Sequence, residues 1–415
     1  MSEWKKYKLS EFIEINPKVT LNSGIQHSFV EMKDLNESRK YVIPSQLKAI
    51  KGGARFQNSD TLFARITPCL QNGKICQVQG LKNSVGFGST EFLVFRGKDG
   101  ISNTDFIYYL SRYDVVRKFA EQNMIGTSGR QRVSKDAFAN LELYLPELST
   151  QTAIAEILSS LDNKIEINNK INQELETLAQ TLFKQWFIDF EFPNENGEPY
   201  KSSGGQMVES ALGEIPKGWA LNDIESLTEK MNSGGTPSTR REDYYDGNIK
   251  WFSTKELKDS FLFESERMIS QAGLDNSSAK IFPLNTVVMA IYAAPTVGRL
   301  GILTEDATFN QAALGFTAKE EVGFEFIFLL LKHLRIDLNN LANGAAQQNL
   351  NVGLVKKYRI IYPSLDILTF FKQLVSPLFS SIKINQQEIL TLKSTRDTLL
   401  PKLISGELEI NEISN

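Results

Sequence analysis

Gln151-Thr152-Ala153-Ile154-Ala155-Glu156-Ile157-Leu158-Ser159-Ser160-Leu161-Asp162-Asn163-Lys164-Ile165 spaces its apolar residues as Ile154, Leu158, Leu161 and Ile165. The alternation of four and three runs on through Leu175, Ala179, Leu182 and Trp186, with Asn168 and Asn172 in the two places between. A period of 3.5 held over four heptads predicts a coiled-coil seam, since so narrow a stripe suits one partner helix better than a broad globular face. Ser149 and Thr150 stand where an N-cap is needed. A second stretch repeats the pattern with Phe371, Val375, Leu378, Ile382, Asn385, Ile389, Leu392, Arg396, Leu399 and Leu403. Pro377 lies off this second seam, where it can kink the helix near its start, and Pro401 limits the regular part.

The two stretches are copies. Gln131 and Gln348, Leu158 and Val375, Ile165 and Ile382, Asn168 and Asn385, Leu175 and Leu392, and Leu182 and Leu399 all stand 217 residues apart. Upstream the offset drifts to 225 for Asp60-Thr61-Leu62-Phe63 against Asn285-Thr286-Val287-Val288, and to 227 for Pro68 against Pro295. Each copy therefore has a divergent front and a rigidly registered rear. If a pseudo-two-fold axis relates the copies, the rear helices run antiparallel. Centring one seam on the other then faces Ile154 with Leu403, Leu158 with Leu399, Ile165 with Leu392, Asn172 with Asn385, Leu175 with Ile382 and Leu182 with Val375. Leu161 opposite Arg396 and Asn168 opposite Ile389 are the poor matches.

The expected fold class is α/β: two mixed α/β domains separated by two long antiparallel coiled-coil helices, in a pseudo-two-fold internal repeat. The boundaries expected are 1–148 and 215–363 for the two front domains, 149–190 and 364–408 for the helices, and 191–214 for a polar linker. Within the fronts, Thr61–Ile66, Phe92–Phe95, Leu141–Leu145 and Thr286–Tyr292 read as strands, and Thr104–Gln122 and Phe324–Leu341 as helices. A chain of 415 residues has room for such a division. The longest apolar run, Phe324 to Leu331, is too short to span a bilayer. Nothing at the N-terminus reads as a signal peptide, and two cysteines point to a reducing cytoplasm.

The sequence carries no catalytic constellation. His27 and His333 lie in different copies and outside any metal-ligand spacing, and Cys69 and Cys76 have no His partner. There is no phosphate-binding GxxxxGK[ST] run, and Gly86-Phe87-Gly88 is a fragment of a glycine motif that reads as a turn between strands. No Asn-Pro-Pro-aromatic or Asp-Pro-Pro-aromatic run of an amino-methyltransferase is present. The net charge of −3 looks unfavourable to nucleic acid, yet residues 1–148 carry +6 and residues 219–363 only −2, with acid gathered on helices and linker.

Loops matched across the duplication are more telling. Arg65-Ile66-Thr67-Pro68-Cys69-Leu70-Gln71-Asn72-Gly73-Lys74 corresponds to Ala294-Pro295-Thr296-Val297-Gly298-Arg299. Gly126-Thr127-Ser128-Gly129-Arg130-Gln131-Arg132 corresponds to Gly344-Ala345-Ala346-Gln347-Gln348-Asn349. Glycine lets backbone approach a phosphate, and Arg, Gln and Asn make paired hydrogen bonds to guanine and adenine edges. Any one of these residues is equally an ordinary turn residue with a solvated side chain; the repetition tilts the set toward a binding surface. On this ground Arg65, Thr67, Gln71, Asn72, Lys74, Arg130, Gln131, Arg132, Thr296, Arg299, Gln347, Gln348 and Asn349 are candidate DNA contacts.

Gln151 to Ile165, followed by Leu182-Phe183-Lys184-Gln185-Trp186-Phe187-Ile188-Asp189-Phe190, resembles the central region of type I restriction–modification specificity subunits. Ser210-Ala211-Leu212-Gly213-Glu214-Ile215-Pro216-Lys217-Gly218-Trp219 resembles the approach to their second target-recognition domain, and Gly234-Gly235-Thr236-Pro237-Ser238-Thr239 with Trp251 its opening. Thr67–Lys74 with Gly86–Phe92 is similar to a first-domain pattern, and Leu399–Leu408 to the C-terminal end. The resemblance covers the whole chain and adds Thr236, Ser238 and Arg240 to the candidates. It implies two target-recognition domains, no catalytic site and no cofactor in this chain. S-adenosylmethionine, ATP and Mg²⁺ are expected on partners: two modification (methyltransferase) subunits docked on the helices, and restriction subunits, all acting on double-stranded DNA and not at a membrane. Residues 154–186 extend about 50 Å as a helix, which implies an asymmetric bipartite target with an unread gap of about 5–8 base pairs. The other readings are a fused methyltransferase–nuclease carrying its own specificity region, and a coiled-coil scaffold that binds protein alone.

Overall fold

The protein is described here as a computed structural model covering residues 4–127, 129–292, 296–343 and 350–410. It divides into two units, Met1–Asn168 with Glu388–Asn415, and Asn169–Gln387. Among the described residues no helix is long and apolar enough to cross a membrane.

In the first unit a five-stranded sheet runs in the order Ile13–Ile15, Phe92–Gly97, Thr61–Ala64, Ile75–Val78, Tyr41–Val42. All pairs are antiparallel except the last. Side chains alternate across it with the period of two that an extended chain imposes. Phe63, Ile75, Leu93 and Phe95 face a core shared with the helix α1 (Thr104–Arg112). Leu62, Cys76, Val78 and Val94 face a second core under a four-stranded sheet, ordered Gln46–Lys48, His27–Val30, Val85–Gly88, Ala54–Gln57. The result is helices, sheet and sheet in three layers. Asn103 caps α1 by accepting from the Phe106 amide. Tyr113 is extended and divides α1 from α2 (Asp114–Gln122), so the single helix expected over 104–122 is two. Gly86 and Gly88 lie within a strand, correcting the expected turn. A Cβ would come to 2.8 Å from the Ser28 carbonyl oxygen at Gly86, and to 2.5 Å from that of Val30 at Gly88.

The second unit repeats this order. Its five-stranded sheet runs Thr228–Ser233, Ala313–Ala318, Val287–Ala290, Leu300–Leu303, Ser260–Leu262, again with only the last pair parallel. Val287 and Met289 face the helical core, Val288 and Ala290 the other. A three-stranded sheet, Arg267–Ile269, Ile249–Phe252, Thr308–Phe309, covers that second face. In place of a fourth strand, Phe282 makes an isolated bridge to Ala307. The expected helix over 324–341 is again two, α4 (Phe324–His333) and α5 (Arg335–Asn343). Residues 191–214, read as a polar linker, are mostly exposed, yet they are anchored at one aromatic residue and carry a strand pairing. Phe192 stacks between Tyr200 (4.5 Å) and Trp219 (5.0 Å), and Met207–Ser210 pairs with Gly213–Pro216 in a hairpin. Aromatic burial at a few positions outweighs the polar composition of the segment.

The two long helices are α3 (Leu148–Phe187) and α6 (Leu365–Ser405). In the first unit Asp162 meets Arg396, and Asn168 donates to Glu388 at 2.7 Å, so the helices are antiparallel there. In the second unit the Asn385 amide donates to the Asn172 side-chain oxygen at 2.9 Å, and Trp186 packs on Phe370 and Phe371. Leu158, Ile165, Val375 and Ile382 are buried, whereas Leu175, Leu182, Leu392 and Leu399 are half-buried. The buried stripe departs from the strict alternation: Asp162 replaces Leu161 and Phe183 replaces Leu182. An α-helix turns every 3.6 residues, so a 3.5-residue seam slips around it with distance. The two mismatches resolve accordingly. Arg396 takes Asp162 in place of Leu161, and Asn168 takes Glu388 in place of Ile389. The helices also pack on the fronts, with Ile154 and Leu158 in the helical core of the first unit, and Phe183 and Trp186 in that of the second.

Candidate nucleic-acid interface

In the first unit the two loops read separately from the sequence are bonded together. The Thr67 amide donates to the Gln131 carbonyl (3.0 Å), and the Gln131 amide returns to the Thr67 hydroxyl (3.1 Å). Ile66 and Arg132 form a bridge, and the Val133 amide donates to the Arg65 carbonyl (2.9 Å). The Arg65 amide in turn donates to the Glu91 carbonyl (3.0 Å). Glu91 also takes the Arg132 guanidinium on both carboxylate oxygens, at 2.8–2.9 Å. That fork is committed within the protein, so Arg132 frames the loop.

The same ladder recurs in the second unit. The Ile291 amide donates to the Ala312 carbonyl (2.8 Å), the Leu350 amide to the Ile291 carbonyl (2.9 Å) and the Gly234 amide to the Ala313 carbonyl (3.1 Å). Thr236 donates to Gln311, and Trp251 holds the Gly235 carbonyl through its indole nitrogen at 2.9 Å. Segments 234–236, 291, 311–313 and 350 thus lie side by side, with Ser238 and Arg240 exposed just beyond them. Arg65 of the first ladder corresponds to Ile291, which is fully buried. The base at this place is peculiar to the first unit.

Beside Arg65 opens a cleft of about 630 Å³ whose lining includes Asn16, Lys18, Thr20, Arg55 and Thr90. A neighbouring cleft of about 740 Å³ shares Gly53 and Thr90 with it and adds Lys48 and Lys51. No carboxylate is among the residues lining either. Clefts lined by one sign of charge, between low-dielectric walls, concentrate potential and draw in counter-charge. Lys48 lies 4.0 Å over the Phe29 ring and donates to Glu31. Hydrogen bonds from Lys33 and Lys48 push the Glu31 carboxyl down to about 2. Arg65 holds its Nε buried without a hydrogen-bond partner.

Of the remaining candidates, Gln71, Asn72 and Arg130 are exposed on the first-unit loops. Lys74 turns inward, its Nζ donating to the Met32 carbonyl at 2.9 Å, and so braces the loop. Thr296 accepts from the Arg299 amide through its carbonyl (3.0 Å), closing a turn that leaves Arg299 half-buried. Gln347, Gln348 and Asn349 lie outside the described residues. Reading the sequence by loops missed Lys18, Lys51 and Arg55. Lys18 lies more than 30 residues before Lys51 and Arg55, and their only sequence signal was the +6 charge of residues 1–148.

The profile of the family described as type I restriction modification DNA specificity domain matches residues 1–177 and 216–394. The specificity subunit of the type I restriction enzyme HindI of Haemophilus influenzae is 27% identical, over 98% of this chain and 100% of that protein. The MjaIX specificity subunit of Methanocaldococcus jannaschii is 28% identical, over 76% of this chain and 71% of that protein. The crystal structure of the type I restriction–modification S subunit from M. genitalium shares the fold. Its TM-score is 0.58 at 14% identity, with 97% of this chain and 96% of that one covered.

Proposed function

The chain belongs to the family of type I restriction modification DNA specificity domains, and from that premise we propose that it is the specificity subunit of a type I restriction–modification complex. Each unit reads one half of an asymmetric bipartite target in double-stranded DNA. The observation that carries this is the ladder of backbone bonds found in both units, which gathers segments distant in the chain onto one ledge, with Arg65, Thr67 and Gln131 on it in the first unit and Thr236 and Gln311 in the second. Such side chains read base edges, while the acid-free cleft beside Arg65 suits the phosphate backbone. The chain supplies recognition, and chemistry comes from its partners. Two modification subunits bind S-adenosylmethionine and methylate adenine, and restriction subunits use ATP and Mg²⁺. Ile167, Ile171 and Ile384, exposed on α3 and α6, support docking of the modification subunits on the helices. The fused-enzyme reading has no catalytic motif to rest on, and the scaffold reading leaves the basic cleft without a purpose. Methylation sequencing of the host genome with and without the chain tests the proposal. A bipartite methylated motif with a gap of about 5–8 base pairs, lost on deletion, is expected; a continuous motif, or one that survives deletion, rejects it.

A further inference from the structure

In each unit one glycine turn follows the central strand and carries a base into the next strand. The two turns are equivalent by their bonding. The Ala64 amide donates to the Lys74 carbonyl (3.1 Å), and the Ala290 amide to the Arg299 carbonyl (2.9 Å). The glycines before those bases, Gly73 and Gly298, have φ of 71° and 80°. That left-handed backbone is strained for any residue with a side chain. Both turns rest on an arginine from the short second helix of their unit, the fourth residue of that helix in the first unit and the first residue in the second. In the first unit Arg117 of α2 donates through Nη2 to the Gln71 carbonyl (3.3 Å), and a Cβ on Gly73 would lie 3.3 Å from that nitrogen. In the second, a Cβ on Gly298 would lie 3.0 Å from Cγ of Arg335 and 3.0 Å from Oδ1 of Asn339, both on α5.

Each arginine is held for its shape and place. Arg117 and Arg335 both have Nε buried without a partner. Leaving a buried donor unpaired is costly, so such a side chain persists where packing needs it. Arg335 is further clamped by Asp259, with Nη2 to Oδ1 at 2.6 Å and Nη1 to Oδ2 at 2.9 Å. The same Oδ1 accepts from the Leu300 amide (2.9 Å), the residue directly after Arg299. Burial works to raise the Asp259 carboxyl, but the Arg335 and Leu300 hydrogen bonds and the Arg335 charge outweigh it, leaving it below the ordinary range. The carboxylate is thus ionised at neutral pH, and the clamp is closed.

We propose that Arg117 and Arg335 are positioning residues, one per unit, that hold the glycine turns of the two DNA-reading loops against the body of their own unit, so that each governs discrimination in a different half of the target. The proposal rests on the reading of the chain as a DNA specificity subunit. It separates positioning from contact: neither arginine needs to touch DNA, and each acts through the loop it supports.

The test uses the full chain assembled with its modification subunits, and measures methylation of DNA substrates carrying single changes in either half of the target. Arg117→Ala is expected to lower discrimination in one half by roughly tenfold per base pair, within what a single mismatch contributes, and to leave the other half intact. Arg335→Ala is expected to do the same in the opposite half. Gly73→Ala and Gly298→Ala disturb the same turns while keeping the arginines, and should reproduce the respective half-specific losses. Arg→Lys, which keeps the stem and charge but loses the fork, should restore discrimination in part. Unchanged discrimination, or equal loss in both halves from either arginine, overturns the proposal. Should an alanine variant fail to assemble, the lysine and glycine variants decide by the same criterion. If the wild-type complex itself methylates without sequence preference, the functional reading fails instead.

Discussion

Asp162 and Arg396 meet at 2.6 Å with side chains only 1% and 3% exposed, in the place where the seam pattern had set an arginine against a leucine. The match was hidden because the stripe had slipped by one residue, bringing the neighbour of Leu161 to the interface. Tyr109 completes the site, donating to the other carboxylate oxygen of Asp162 at 2.7 Å. Burial works to lower the Arg396 pKa, but the charge and hydrogen bond of Asp162 outweigh it and hold it above its usual value. Removing one member of a buried pair strands the other charge in a low dielectric, at a cost of ~3–5 kcal/mol. Arg396→Met should therefore lower the unfolding free energy by about that amount, and adding Asp162→Asn should recover part of the loss. Urea denaturation of both single variants and of the double variant measures this, and additive effects would show that the charges are not coupled.

Among the elements, α3 and α6 are the clearest in the sequence, because a seam repeated at a fixed offset in two copies is a long-range signal. The Asn172–Asn385 hydrogen bond gives this pair of helices a polar point of register. A buried Asn pair costs stability relative to leucine and disfavours slipped pairings. Asn172→Leu alone strands the Asn385 amide and should destabilise by ~1–3 kcal/mol. The double change Asn172→Leu/Asn385→Leu should raise the melting temperature above that of the single variant, and to at least the wild-type value. A double variant that melts no higher than the single one would contradict this reading. The shorter elements were harder to read. Tyr113 and Leu334 each end a helix inside a continuous run of helix-compatible residues. Phe192 and Trp219 anchor a segment that looked like linker because most of its residues are polar.

For the whole molecule the decisive quantity is where the charge sits. A net charge of −3 conceals a first front domain of +6 and a second of −2. Phosphate contacts release counterions, so affinity falls with salt in proportion to their number, by about 0.9 per contact on a log–log scale. Lys18, Lys51 and Arg55 bring three cations to the paired clefts of the first unit. Replacing all three by alanine in the assembled complex should reduce the magnitude of the salt slope by about 2–3 while leaving the preferred target sequence unchanged. Binding measured between low and moderate salt checks this. An unchanged slope would place these clefts away from the DNA.

The duplication, the two long helices, the alternation of β-prone runs in each front and the loops that differ between copies were legible in the sequence. All of these rest on periodicity, repetition or local backbone chemistry, which are properties of neighbours along the chain. It took the folded chain to bring residues 65–67 and 131–133 onto one ledge, to set Lys74 and Arg132 bracing it, and to place Lys18 and Arg55 on one cleft with Lys51 on its neighbour. Those facts depend on strand order and on which hydrogen-bonding groups are left over once the sheets have paired, and no spacing in the sequence encodes either.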